Sequence, residues 1–117
     1  MVGPERVVVC RAEALLEGGD GVRFEVRSGG QPASAFAIRF EGRVHAYLNR
    51  CAHVATELDW LPGRFFDADG MVLICSTHGA LYDPATGDCL GGPCRGGRLI
   101  ALAVEEVDGE VMVTHDG

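Results

Sequence analysis

The chain has 117 residues, of which 47% are apolar, 23% charged and 7% aromatic, proportions that fit one small domain and argue against a multidomain catalyst. Its formal net charge is −7, with no lysine and ten arginines scattered among seventeen carboxylates, so it lacks the basic stripe a nucleic-acid partner would require. No apolar run approaches the roughly 18 to 20 residues of a membrane span and no basic leader precedes a long apolar stretch, which predicts a cytoplasmic protein with no membrane partner.

In chain order, Val7 to Cys10 is a short apolar run, and Ala12 to Glu17 is the only stretch with helical character. From Val22 to Arg27 the apolar Val22, Phe24 and Val26 alternate with Arg23, Glu25 and Arg27, the pattern of a half-buried strand. Phe36, Ile38 and Phe40 repeat it, Glu41-Gly42 interrupts, and Val44 to Leu48 resumes, which predicts a hairpin over 35–48. A second hairpin is expected from Leu99 to Thr114, turning at Asp108-Gly109. Between the hairpins, residues 50–97 are dense in Gly, Pro, Cys and His and contain one strongly apolar strand, Met71 to Cys75, introduced by Asp69-Gly70. A loop-rich stretch of this length is normally functional.

The expected fold is therefore all-β. A base of antiparallel strands, drawn from about 1–49 and 98–117, carries an insertion at about 50–97, and residues 1–117 form a single domain.

Five cysteines, Cys10, Cys51, Cys75, Cys89 and Cys94, in a chain expected to be cytoplasmic point to metal or redox chemistry before structural disulfides. Cys51 and His53 are separated by one residue, Cys75 and His78 by two, and twenty-one residues lie between His53 and Cys75. Each pair can come from one loop, and two such loops can close around a metal centre. A structural zinc and a [2Fe-2S] cluster both fit two thiolates and two imidazoles. Zinc sites of this type usually pair Cys with Cys and His with His along the chain, so the alternation favours the cluster.

Cys51-Ala52-His53 followed by Cys75-Ser76-Thr77-His78-Gly79 resembles the paired motif of Rieske iron–sulfur proteins. The likeness continues through Tyr82-Asp83, Thr86-Gly87 and Gly91-Gly92-Pro93. It implies a Rieske-like antiparallel sandwich or barrel base with a cluster-binding subdomain, Cys51 and Cys75 on the inner iron, and His53 and His78 on the outer one. Two neutral imidazoles in place of two thiolates bring the oxidised centre from about −2 to near zero, which eases reduction and matches the family range of roughly −150 to +300 mV. Gly79 would then give close backbone approach to the cluster, and Gly91-Gly92-Pro93 would be the loop that covers it.

The departures are informative. High-potential relatives carry a serine two residues after the second histidine and a tyrosine four after it; here these are Ala80 and Tyr82. The missing hydroxyl should lower the potential, and Tyr82 is open to a purely packing role. The cysteines that tie the ligand loops together in respiratory members are absent. Cys89 and Cys94 could bridge locally, but a reducing cytosol favours free thiols. Cys10 is expected to be a small buried apolar residue, and His45 and His115 ordinary polar histidines. The apolar stretch 57–66, with Trp60, Leu61, Phe65 and Phe66, is expected to form a small core, the alternative being a docking rim.

The resemblance implies a one-electron carrier, not an enzyme, similar to the ferredoxins that connect a flavin-dependent reductase to a terminal oxygenase. The rivals are a small accessory subunit of a larger oxidoreductase such as nitrite reductase, a redox-sensing module and a structural zinc protein.

Overall fold

A computed structural model describes residues 5–28, 30–51, 57–59, 61–75, 79–94 and 96–115. Nine strands are present among them: β1 (Glu5–Arg11), β2 (Val22–Ser28), β3 (Gln31–Phe40), β4 (Arg43–Leu48), β5 (Leu73–Ile74), β6 (Leu81–Tyr82), β7 (Cys89–Gly91), β8 (Ala101–Val107) and β9 (Glu110–His115). Six of them form an antiparallel sheet in the order β1-β9-β8-β4-β3-β2, nearly closed on itself. The other three, β5-β6-β7, form a small separate sheet. Among the described residues no helix is long and apolar enough to cross a membrane.

Both expected hairpins form, and their turns show why. Glu41 and Gly42 have φ of 52° and 77°, as do Asp108 and Gly109, so both central residues of each two-residue loop are left-handed, the twist that adjoining strands require. The Glu17 carboxylate stabilises the first turn by accepting from the Glu41 and Gly42 amides at 2.6 and 2.7 Å.

Three local expectations are corrected. The stretch Ala12 to Glu17 yields only a three-residue 3-10 turn, Ala12–Ala14, because Arg39 takes the carbonyls of Leu15 and Ala12 at 2.8 and 3.1 Å. The apolar strand shrinks to Leu73–Ile74, since Asp67 Oδ1 accepts from the amides of Met71 and Val72 and turns the chain there. Strand β8 starts at Ala101 rather than Leu99, because the Leu99 amide donates to Gly87 O at 2.8 Å.

Strand β3 is not half-buried: Ala35, Phe36, Ala37 and Ile38 are all fully buried. Ala35 and Ala37 face the interior of the base with Leu15, Ala46, Leu48, Leu102, Val111 and Val113. Phe36 and Ile38 face the other way, into a second core with Tyr47, Leu58, Phe65, Leu73 and Tyr82. Small residues let the sheet curve closed, and large ones receive the insertion on its outer face. Phe36 stacks on Phe65 with ring centroids 3.9 Å apart, a contact worth about 1 kcal/mol beyond its burial.

A polar hinge joins the same two layers. Asn49, just after β4, accepts from the Leu58 amide and donates to Asp59 Oδ1, both at 2.8 Å. Asp59 Oδ2 accepts from the Gly63 amide at 2.9 Å and lies 3.4 Å from Arg23 Nε. The buried carboxylate is thus satisfied from the base and from the insertion together.

Candidate cluster site

Cys51 leaves the end of β4 through Asn49 and Arg50. Its position is fixed by the Asn49 amide donating to Ser34 O at 2.8 Å and the Arg50 amide donating to Leu48 O at 2.9 Å. Cys75 leaves β5 at the mouth of the β5–β6 hairpin, whose register pairs Leu73 with Tyr82 and Ile74 with Leu81. The Cys75 amide donates to Ala80 O at 2.8 Å and the Gly79 amide to Cys75 O at 2.7 Å, which ties Cys75 to the start of the returning strand. Gly79 has φ of 74°, a conformation costly for residues with a Cβ, and a Cβ there would meet no protein atom within 4 Å.

Cys51 and Cys75 are both buried in the core cluster that also holds Tyr82, Ala80 and Cys94. The Tyr82 hydroxyl lies 3.2 Å from Cys51 Sγ. Tyr82 therefore does more than pack, since this contact is a hydrogen bond in which either group can be the donor. Ala80 is fully buried and brings no hydroxyl. His53 and His78 lie outside the described residues, as does Trp60. Of the stretch 57–66, Leu58 and Phe65 are core, as expected, whereas Leu61 is exposed.

The Gly91-Gly92-Pro93 loop continues from β7 into a 3-10 turn, Gly92–Cys94. It packs so closely on Gly79 and Ala80 that a Cβ on Gly92 would sit 2.8 Å from Gly79 O and 3.1 Å from Ala80 Cα. Cys89 and Cys94 are joined by a disulfide, not present as free thiols. The turn brings their Cα atoms to 5.7 Å, within the span a bridge needs.

Cys10 is half-buried in β1 rather than fully buried, and burial pushes its thiol pKa up. His45 is half-buried in β4, where burial first and Arg43 second push its pKa down, consistent with an ordinary polar histidine. The His115 side chain lies outside the described part of the structure. Sequence reading missed Asn49 and Asp59, whose only signal was two polar residues flanking the first cysteine–histidine pair.

The fold and this arrangement define a class: a small antiparallel β domain bearing a loop-built lobe with two cysteines in its core and a tyrosine hydroxyl at hydrogen-bond distance from one of them. The model of the Rieske [2Fe-2S] domain family matches residues 5–107, so the chain belongs to that family, and a Rieske-type [2Fe-2S] cluster is its cofactor. The donor set is compatible with it, since both sequence-identified cysteines emerge from loops into one protected core. Solved structures agree. The chain aligns with one from the complex of reduced oxygenase and oxidized ferredoxin in carbazole 1,9a-dioxygenase at 27% identity and a TM-score of 0.71, covering 93% of this chain and 92% of that one. The ferredoxin of carbazole 1,9a-dioxygenase from Nocardioides aromaticivorans IC177 is 23% identical with a TM-score of 0.71, covering 98% and 100%. A chain described as an NADH-dependent nitrite reductase small subunit from Mycobacterium tuberculosis is 17% identical with a TM-score of 0.72, covering 99% of both. Comparison with curated proteins gave no match.

Proposed function

We propose that residues 1–117 act as one domain in which Cys51 and Cys75 hold the inner iron of the cluster and His53 and His78 the outer one, and that the protein is a cytoplasmic one-electron carrier. The observation that carries this reading is the burial of Cys51 and Cys75 in one core, with Tyr82 reaching from the second loop's hairpin to the first loop's sulfur. When bound, the cluster supplies reversible one-electron chemistry. The chain's own residues do the rest. The Phe36–Phe65 layer and Leu58 exclude water from the thiolate side, the Asn49–Asp59 hinge fixes the first loop on the base, and the Tyr82 hydroxyl offsets charge that accumulates on sulfur.

The electrons are proposed to come from a flavin-dependent reductase and to pass to a terminal oxygenase, because the chain resembles one from an oxygenase–ferredoxin complex. The likeness to the nitrite reductase small subunit carries the fold alone.

The test is potentiometry of anaerobically purified protein with iron, sulfide and zinc analysis. One [2Fe-2S] centre per chain, with a one-electron Rieske signal near the bottom of the family range, roughly −150 mV, is the expected result. Zinc-loaded, redox-silent protein overturns the reading. Stable co-purification with a large catalytic subunit would replace the mobile carrier with an accessory subunit.

A further inference from the structure

We propose that the Cys89–Cys94 disulfide is a thiol-exchange site, opened by a dithiol reductant, whose state sets how firmly the lobe around the second ligand pair is held; the link to that pair rests on the ligand reading above. Three observations point there.

The two sulfurs are unequally accessible. Cys89 is half-buried and lines a surface pocket of about 290 Å³ together with Leu90, Gly91, Gly92 and Gly96. Cys94 is buried. An incoming thiolate therefore meets Cys89.

The leaving sulfur has somewhere to go. Cys94 Sγ lies 3.2 Å from Gly91 O and 3.5 Å from Leu81 O, acceptors that a disulfide sulfur cannot use but a thiol can. Exchange then balances as follows. The reductant's first thiolate attacks Cys89 Sγ, the S–S bond breaks, a mixed disulfide forms on Cys89, and Cys94 leaves as a thiolate that takes a proton from solvent. The reductant's second thiolate attacks its own sulfur in that mixed disulfide and releases Cys89, which is protonated in turn. Two electrons pass from the dithiol, which becomes a disulfide, to the protein, which gains two thiols.

The bridge is also wired to the ligand loops. Cys89 pairs with Tyr82 and Gly91 with Leu81 across β6–β7, and Tyr82 touches Cys51. Gly92, inside the bridged loop, rests on the Gly79 carbonyl, one residue from His78. Opening the bridge releases the segment whose backbone presses on both.

The test uses the full-length cluster-loaded protein, treated with dithiothreitol, alkylated without unfolding and mapped by peptide mass, with glutathione in a parallel sample to trap the first adduct. Reduction in the folded protein, a glutathione adduct on Cys89, and about tenfold faster amide exchange at Cys89 and Gly97 are expected. A Cys89→Ser/Cys94→Ser variant should show the same exchange rates and a shifted cluster potential without any reductant present. A bridge that yields only after unfolding, an adduct on Cys94, or unchanged exchange overturns the proposal. A variant with faster exchange but an unshifted potential overturns the link to the ligand pair. Failure of the ligand reading is seen separately as missing iron and sulfide, and leaves the mapping and exchange measurements decisive for the bridge.

Discussion

The hydroxyl of Tyr82 lies 3.2 Å from the sulfur of Cys51, so a side chain from the hairpin behind the second cysteine reaches the first. Such a bond strengthens as negative charge collects on sulfur, and so favours the reduced state. Tyr82→Phe should keep the cluster and lower its potential by about 40 mV, corresponding to a differential of about 1 kcal/mol for a one-electron couple. Protein-film voltammetry of the variant reads the shift directly. An unchanged or higher potential would show that the hydroxyl does not donate.

Ala80 argues in the opposite direction. It is fully buried beside Cys75, whose amide donates to its carbonyl at 2.8 Å. Ala80→Ser adds a hydroxyl where high-potential Rieske proteins carry one, and should raise the potential by a similar amount. Voltammetry checks the sign, and the g-values of the reduced state check that the centre itself is intact.

The two cysteine–histidine pairs and both long hairpins were legible in the sequence because each has a local signature. Cys51 with His53 and Cys75 with His78 are close in sequence, and Glu41-Gly42 and Asp108-Gly109 demand left-handed turns at fixed places. What depended on distant partners was not legible. The alternation in β3 suggested one wet face, and only the packing of Phe65 on Phe36 shows why both faces are dry. Strands β6 and β7 have two and three residues, too few to carry a period, and form because they pair with each other. The bridge between Cys89 and Cys94 depends on how the 3-10 turn folds back, which spacing alone does not tell.

Asp59 is the residue on which the end of β4, strand β2 and the turn at Gly63 meet. Its side chain is fully buried, and Asn49, the Gly63 amide and Arg23 all converge on it. Asp59→Ala leaves the buried Asn49 side-chain amide and the Gly63 N–H without this acceptor, while the partly exposed Arg23 keeps Glu57, and should cost about 3 kcal/mol, a fall in Tm of roughly 10 °C or more. Asp59→Asn keeps an oxygen toward the Asn49 amide and should cost less. Thermal unfolding of the two variants side by side gives the comparison, and equal losses would mean that the charge, not the acceptor geometry, matters.

Gly92 and Gly96 provide a matched pair. Both are left-handed, with φ of 81° and 80°. A Cβ on Gly92 would strike the Gly79 carbonyl at 2.8 Å, while one on Gly96 would meet nothing within 4 Å. Gly96→Ala should therefore cost only the left-handed strain, about 1 kcal/mol, with the cluster retained. Gly92→Ala must push the bridged loop off Gly79 as well, and should show faster cluster loss to a chelator. Equal loss rates in the two variants would remove the contact from the account of cluster retention.

Tyr47 links the base to the turn after β6 by donating to Pro84 O at 2.8 Å. Burial first, then the Asp83 and Asp88 carboxylates, hold its pKa far above the usual tyrosine value. The folded state therefore keeps this proton to higher pH than the unfolded chain, whose tyrosines titrate near about 10. Between those two pKa values the unfolded state binds fewer protons, so the stabilisation is complete below pH about 10 and is lost as pH rises beyond it. Urea unfolding of the wild type should show no Tyr47-dependent change between pH about 8 and about 9 and should then weaken towards pH about 11 with a slope that Tyr47→Phe lacks. At the lower pH the variant should be less stable by about 1 kcal/mol, because the Pro84 carbonyl loses its donor. If the two proteins keep a constant difference across that range, the Tyr47 proton is not what couples this turn to the base.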